Sequence, residues 1–273
     1  MPCPVIVTNK HVVHDARRIH FWLTTHDDGS VKGFKQYEID TPADWVIEHP
    51  DASVDLAVIS LFPIVEEVTA SAECPFFIPL NRKEIATESE LEWIAPGMPV
   101  MMIGYPNGLW DQANNLPLFR SGVAATHAGV RFDNRDEFVV DMACFPGSSG
   151  SPVWFLSIGS YTNKYGHIVT GTSTGKLLGV LYSGPEINAD GTVQAPDGSA
   201  MVASTPMMMN LGFVIRATRI LDFEPILAQC YIEWLKKIMS GMTAKGLLEK
   251  MPLMKFGQSS GVSHGERKDG PVA

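Results

Sequence analysis

Across the first 220 residues, apolar positions come in short runs, and turn-forming residues bound each run. "VIVT" (5–8), "RIHFWLTT" (18–25), "WVIEH" (45–49), "DLAVISL" (55–61) and "PVMMIGY" (99–105) read as strands, being apolar or alternating. "FVVDMACF" (138–145), "SPVWFL" (151–156), "LLGVLYSG" (177–184) and "LGFVIRA" (211–217) read the same way. Strands at this spacing, without helices between them, predict an all-β sandwich or barrel.

The period changes once. From Ile226, apolar residues at Leu227, Cys230, Tyr231, Trp234, Leu235 and Ile238 fall on one helical face. Asp222 is placed to cap this helix, Pro225 is tolerated in its first turn, and Lys236 and Lys237 suit its negative end. Beyond about Lys250 the chain turns polar and Gly/Ser-rich, which predicts a disordered tail. Two stretches rich in Gly, Asn, Asp and Pro, 107–118 and 184–201, read as loops able to face a substrate.

Composition narrows the function. The 273 residues are 45 % hydrophobic, enough for a sizeable core in one large domain or two small barrels. Net charge is 21 − 30 = −9, which argues against a nucleic-acid partner. No apolar run reaches the length of a membrane span. The cysteines at 3, 74, 144 and 230 form no CxxC pair, so neither a metal site nor a cofactor is expected. Scattered cysteines in a chain of this length, without a secretory leader, predict reduced thiols and a cytoplasmic setting.

The candidate chemistry sits in "CFPGSSGSPVW" (144–154), where Gly, Ser and Pro crowd between two apolar runs. Such a cluster is by default a surface turn. Its alternative is a serine held on a tight turn, and that serine needs a base and an orienting acid to become nucleophilic. His11 follows an apolar strand in "VIVTNKHVV", and Asp55 opens "DLAVISL". Alone, the first reads as a structural histidine and the second as a turn residue. "TGTSTGK" (170–176) has three residues between its glycines where a phosphate loop needs four, so it reads as a hairpin turn. "PMMMNLG" (206–212) reads as core or strand packing.

Taken together, "VTNKHVV", "HPDASVDLAVI" and "GSSGSP" occur in the order His11, Asp55, Ser149, with separations of 44 and 94 residues. In that order they resemble the chymotrypsin-like serine protease family, in its bacterial trypsin-like branch. "PGMPVMMIGYP" (96–106), "RSGVAATH" (120–127), "GVLYSG" (179–184) and "LGFVIRATRILDFEPILA" (211–228) extend the likeness over about residues 5 to 240.

The resemblance implies two six-stranded antiparallel barrels with a C-terminal helix. The halves would be 1–90, carrying His11 and Asp55, and 91–222, carrying Ser149, followed by a helix over 223–250 and the tail over 251–273. It implies a serine endopeptidase acting on peptide or protein substrates, with Ser149 as nucleophile, His11 as base and Asp55 as orienting acid. The N–H groups of Gly147 and Ser149 would form the oxyanion hole. Ala143 would sit at the base of the primary pocket, and Tyr182, Ser183 and Gly184 would line the cleft. No carboxylate stands near Ala143, so Lys or Arg beside the cut is not expected, and small or medium apolar side chains are. The alternative is a protease-like module that holds peptides without cutting them.

Three departures stand out. Ser148 occupies the place of the aspartate that receives a new N-terminus in animal digestive members. Cys144 lies close to Ser149 but does not hold the nucleophile's place. Only ten residues precede His11, where the family has about two strands. The first barrel is therefore expected to be N-terminally incomplete, with the functional protein beginning roughly 15 to 30 residues upstream of Met1.

Overall fold

The computed structural model describes residues 4–27, 30–40, 42–61, 64, 74–162, 166–171, 174–194 and 200–240. The expected tail, and the part of the expected helix beyond 240, lie outside them.

The N-terminal half carries six strands: β1 (Val5–Thr8), β2 (Ile19–Asp27), β3 (Ser30–Ile39), β4 (Val46–Glu48), β5 (Ala57–Ser60) and β6 (Cys74–Phe76). They pair antiparallel in two three-stranded sheets, ordered β1-β5-β4 and β3-β2-β6. Among the described residues these sheets do not close into a barrel. A one-turn helix, α1 (Lys10–Val13), follows β1.

The C-terminal half contains β7 (Pro99–Gly104), β8 (Leu118–Ala124), β9 (Glu137–Asp141), β10 (Pro152–Ser157), two short strands β11 (Ser160–Thr162) and β12 (Ile168–Thr170), and β13 (Thr174–Ser183). Strands β14 (Glu186–Gln194), β15 (Ala200–Met208) and β16 (Leu211–Arg216) follow. Six of them close a barrel in the order β10-β13-β16-β9-β8-β7. Its interior holds Met102, Phe138, Val140, Val153, Leu178 and Val214, all buried. A short α2 (Glu88–Leu91) precedes it, and α3 (Glu224–Ser240) closes the described chain. The fold is all-β apart from these helices.

One buried cluster joins the halves. Leu56 and Val58 pack with Val180 of β13, Ile215 of β16 and Phe223. Each such side chain stabilises the packed state by about 1.5–3 kcal/mol. This contact matters because Leu56 is the immediate neighbour of Asp55.

The structure departs from the sequence reading at several places. β3 is not among the predicted strands; two lysines and a glycine interrupt its alternation, but it pairs with β2 over its whole length. The expected loop at 184–201 is largely the β14–β15 hairpin, paired from Glu186–Met208 to Gln194–Ala200. The run at 138–145 leaves the barrel after Asp141, and Met142 turns onto the Asn210 carbonyl. Asp222 is not turned to the start of α3 as a cap. Its carboxylate lies 3.1 Å from His49 Nε2 and 3.1 Å from Arg219 Nη1.

Candidate active site

β1 ends at Thr8, fully buried Asn9 leads out of it, and α1 then makes a single helical turn closed by His14 N–H on the Lys10 carbonyl. His11 therefore stands on a short helix rather than on the strand end expected from sequence. Val13 anchors the turn in a small core with Ile39, Ala57 and Ile59. This leaves the His11 side chain half exposed on the other face.

Asp55 is delivered by the pairing of β1 with β5, in which Thr8 opposes Ala57. The residues just past each end therefore meet. Asn9 Nδ2 donates to the Asp55 carbonyl at 2.9 Å. The carboxylate takes both groups His11 offers on that side: Oδ1 accepts from the backbone N–H at 3.0 Å, and Oδ2 lies 2.5 Å from Nδ1. Facing a carboxylate, Nδ1 carries the proton, and Nε2 is left as the nitrogen with a free lone pair.

The loop carrying Asp55 is held from behind. His49 N–H donates to the Leu56 carbonyl at 2.9 Å, and its fully buried ring accepts the Asp51 N–H at Nδ1, 3.0 Å away. Nε2 then faces the Asp222 carboxylate. Arg219 pairs with Asp51 at 3.0 Å and with Asp222 at 3.1 Å. The hydrogen bond from Ser53, foremost, and the Arg219 charge hold the Asp51 carboxyl below its usual range. The segment after the barrel thus fastens the loop between β4 and β5.

Ser149 lies on a turn built by two glycines with positive φ, Gly147 at 82° and Gly150 at 84°. L side chains rarely adopt that conformation. Three N–H groups of the turn are committed: Ser148 to the Phe145 carbonyl, Gly150 to Leu181 and Ser151 to Ser148. Those of Gly147 and Ser149 take no backbone acceptor among the described residues. Gly150 also packs on β1, since a Cβ there would stand 2.9 Å from Thr8 Oγ1. The Ser149 turn and the strand that precedes His11 therefore touch. Ser149 Oγ donates to the Tyr182 carbonyl at 3.2 Å, and it makes no bond to His11 among the described residues.

Tyr182, Ser183 and Gly184 lie at the end of β13 and just beyond it, and Ala143 lies in the turn after β9. Sequence reasoning did not single out Gly212 or the packing role of Cys144. They stand 68 positions apart, yet a Cβ on Gly212 would be 2.7 Å from Cys144 Sγ and 2.5 Å from Leu181 Cδ1. Burial pushes the Cys144 thiol up to about 11. The Tyr182 hydroxyl donates to Glu137 at 2.9 Å, and burial first, then that acid, pushes it up to about 12.

The sequence model of the trypsin-like peptidase domain matches residues 5–159. The chain belongs to the trypsin-like peptidase family. No curated protein sequence matches it. The stretch of trypsin-like peptidase domain spans β1, α1, the Asp55 loop and the Ser149 turn, and it ends before Tyr182. Among the described residues of this family member, no three His, Cys, Asp or Glu side chains gather as a metal site would require. No described helix is long and apolar enough to cross a membrane.

Proposed function

We propose that this trypsin-like peptidase is a serine endopeptidase in which Ser149, His11 and Asp55 act as one unit. The observation that carries the reading is the two-point contact of Asp55 with His11, at Nδ1 and at the backbone N–H. A structural histidine needs no carboxylate on both groups, whereas a general base needs its tautomer fixed and its ring held.

The chemistry follows from the free nitrogen. His11 Nε2 takes the Ser149 hydroxyl proton as Oγ bonds to the scissile carbonyl carbon. The carbonyl oxygen gains negative charge, and the N–H groups of Gly147 and Ser149 donate to it. One such donor lowers the barrier by about 3 kcal/mol. The C–N bond then breaks, and Nε2 passes its proton to the leaving amine. Water, activated by the same nitrogen, hydrolyses the acyl ester and restores Ser149. For the first step the Ser149 hydroxyl turns from the Tyr182 carbonyl to Nε2. Catalytic hydrogen bonds of this kind commonly tighten only with substrate bound.

A second reading, a peptide-binding module that does not cut, is favoured by the bond Ser149 makes to Tyr182 in place of His11 and by N-terminal sheets that do not close among the described residues. The experiment that separates the two is hydrolysis of a dye-labelled unfolded protein. Wild type cleaves it and Ser149→Ala does not if the endopeptidase reading holds. Binding without cleavage by both proteins supports the module.

A further inference from the structure

We propose that Tyr105, Trp110, Trp22 and Phe34 form an aromatic track that binds the leaving-group side of an extended polypeptide substrate and selects apolar or aromatic side chains there. The proposal rests on the endopeptidase reading above.

The four rings form a row. Tyr105 meets Trp110 edge-on with ring centres 6.1 Å apart, Trp110 meets Trp22 at 6.3 Å, and Trp22 meets Phe34 edge-on at 5.6 Å. Tyr105 is 46 % exposed, Trp22 40 % and Phe34 37 %. Three exposed rings joined through half-buried Trp110 mark an interaction surface more strongly than scattered rings do. The row crosses between the halves, because Trp22 and Phe34 lie on β2 and β3 while Tyr105 and Trp110 follow β7. Asn115 Nδ2 donates to Thr24 Oγ1 at 3.4 Å, tying the loop after Trp110 to β2. Leu109 and Leu116, on either side of Trp110 in the chain, are both well exposed. Asp111, the acid next to Trp110, is turned onto its own loop, where it takes the Asn114 amide at 2.7 Å.

The row begins at the nucleophile turn. A Cβ on Gly147 would stand 3.1 Å from both the Tyr105 carbonyl oxygen and the Asn107 nitrogen, and Asn107 N–H donates to the Pro146 carbonyl at 2.7 Å. This turn has two flanks. On one, Gly150 N–H and Ser149 Oγ bond to the Leu181 and Tyr182 carbonyls of β13. On the other stand Tyr105 and Asn107. A substrate whose acyl half lies along β13 and whose scissile carbonyl reaches Ser149 must leave across the Tyr105 flank, onto the rings. Successive ring centres stand 5.6–6.3 Å apart, close to the roughly 6.6 Å between alternate residues of an extended chain. Rings in such a row accept aliphatic, aromatic and proline side chains and offer nothing to a carboxylate.

The test uses two internally quenched peptides with the same acyl half. One carries five apolar residues after the cut, Leu-Phe-Pro-Leu-Phe, and the other carries Gly-Ser-Asn-Gly-Ser. Wild type should show kcat/KM at least tenfold higher for the first. The variant W22S/F34S should bring that ratio to within twofold of one, as should Leu109→Asp, which leaves the rings in place and guards against a folding defect in the double variant. Equal rates in wild type, or a ratio unchanged in both variants, would overturn the track. Binding is measured apart from catalysis by titrating the Ser149→Ala protein with the Leu-Phe-Pro-Leu-Phe amide and following tryptophan fluorescence. Saturable binding that is lost in S149A/W22S/F34S supports the track even if wild type hydrolyses neither peptide, in which case the endopeptidase reading fails alone. A wild-type mass that rises with concentration, and does so less in W22S/F34S, would show that the rings take a second copy of the chain, and would overturn the proposal.

Discussion

Gly150 lies so close to Thr8 that a Cβ on it would come within 2.9 Å of the threonine hydroxyl. Thr8 stands three residues before His11, and Gly150 stands one after Ser149. This contact joins the two stretches that carry the proposed base and nucleophile, which come from different halves of the molecule. Gly150→Ala should therefore displace one against the other, and the positive φ adds backbone strain of about 1–3 kcal/mol. The expected result is a lowered melting temperature together with a kcat loss of at least tenfold, because a misplacement of an ångström costs about that much or more. Wild-type turnover in Gly150→Ala would show that the contact does not position the site.

On the proposed mechanism, His11→Ala and Ser149→Ala each reduce kcat by on the order of 10⁴-fold or more while the fold is kept. Asp55→Asn reduces it by about 10⁴-fold, since an amide no longer holds the proton on Nδ1. The double variant H11A/S149A should be no worse than either single one, because the residues act together. Additive losses in steady-state kinetics would contradict the unit.

Much of this arrangement is legible in the chain. The three motifs stand in order, and eight of the nine expected strands run close to their expected bounds. The contacts that complete the site are not legible. Gly212 reaches Cys144 only through the barrel pairing of β16 with β9, and His49 reaches Asp222 only because the segment after β16 folds back over the β4–β5 loop. The direction of the Ser149 hydroxyl is a rotamer choice, which no motif encodes. β3 escaped the pattern because Lys32, Gly33 and Lys35 break its alternation; Lys35 lies on the side of buried Tyr37 and Ile39, with its ammonium over the Tyr37 ring. The β14–β15 hairpin escaped because its residues read as turn formers.

His49 is fully buried between Asp51 and Asp222, and it holds the loop that presents Asp55. His49→Leu leaves the Asp51 N–H and the Asp222 carboxylate without this partner, at a cost of about 1–3 kcal/mol. For a domain of this size that is a fall of about 2–10 °C in Tm. Calorimetry checks it, and an unchanged transition would show that Arg219 alone suffices to hold the loop.

Burial pushes the Cys144 thiol up to about 11. A thiol raised this far is protonated throughout the neutral range, with about one thiolate in a thousand at pH 8. Iodoacetamide at pH 8 should leave Cys144 unmodified in the folded protein and modify it after unfolding, as peptide mapping reads. Rapid alkylation of folded protein would show an exposed thiolate and reopen the cysteine as a nucleophile.

Ala143, which the proposed assignment puts at the base of the primary pocket, supplies no acid there. Cleavage of a peptide library should therefore occur after small or medium apolar residues. A profile dominated by Arg and Lys would contradict the pocket assignment.

A fluorophosphonate probe, followed by mass spectrometry, tests the central claim most directly. It bonds only to a serine whose hydroxyl is deprotonated by a neighbouring base and whose adduct oxygen is stabilised. The mechanism predicts one adduct per chain, mapped to Ser149, absent in Ser149→Ala and slowed at least a thousandfold in His11→Ala. A folded wild-type protein that gains no adduct, or gains one at the same rate without His11, would contradict it.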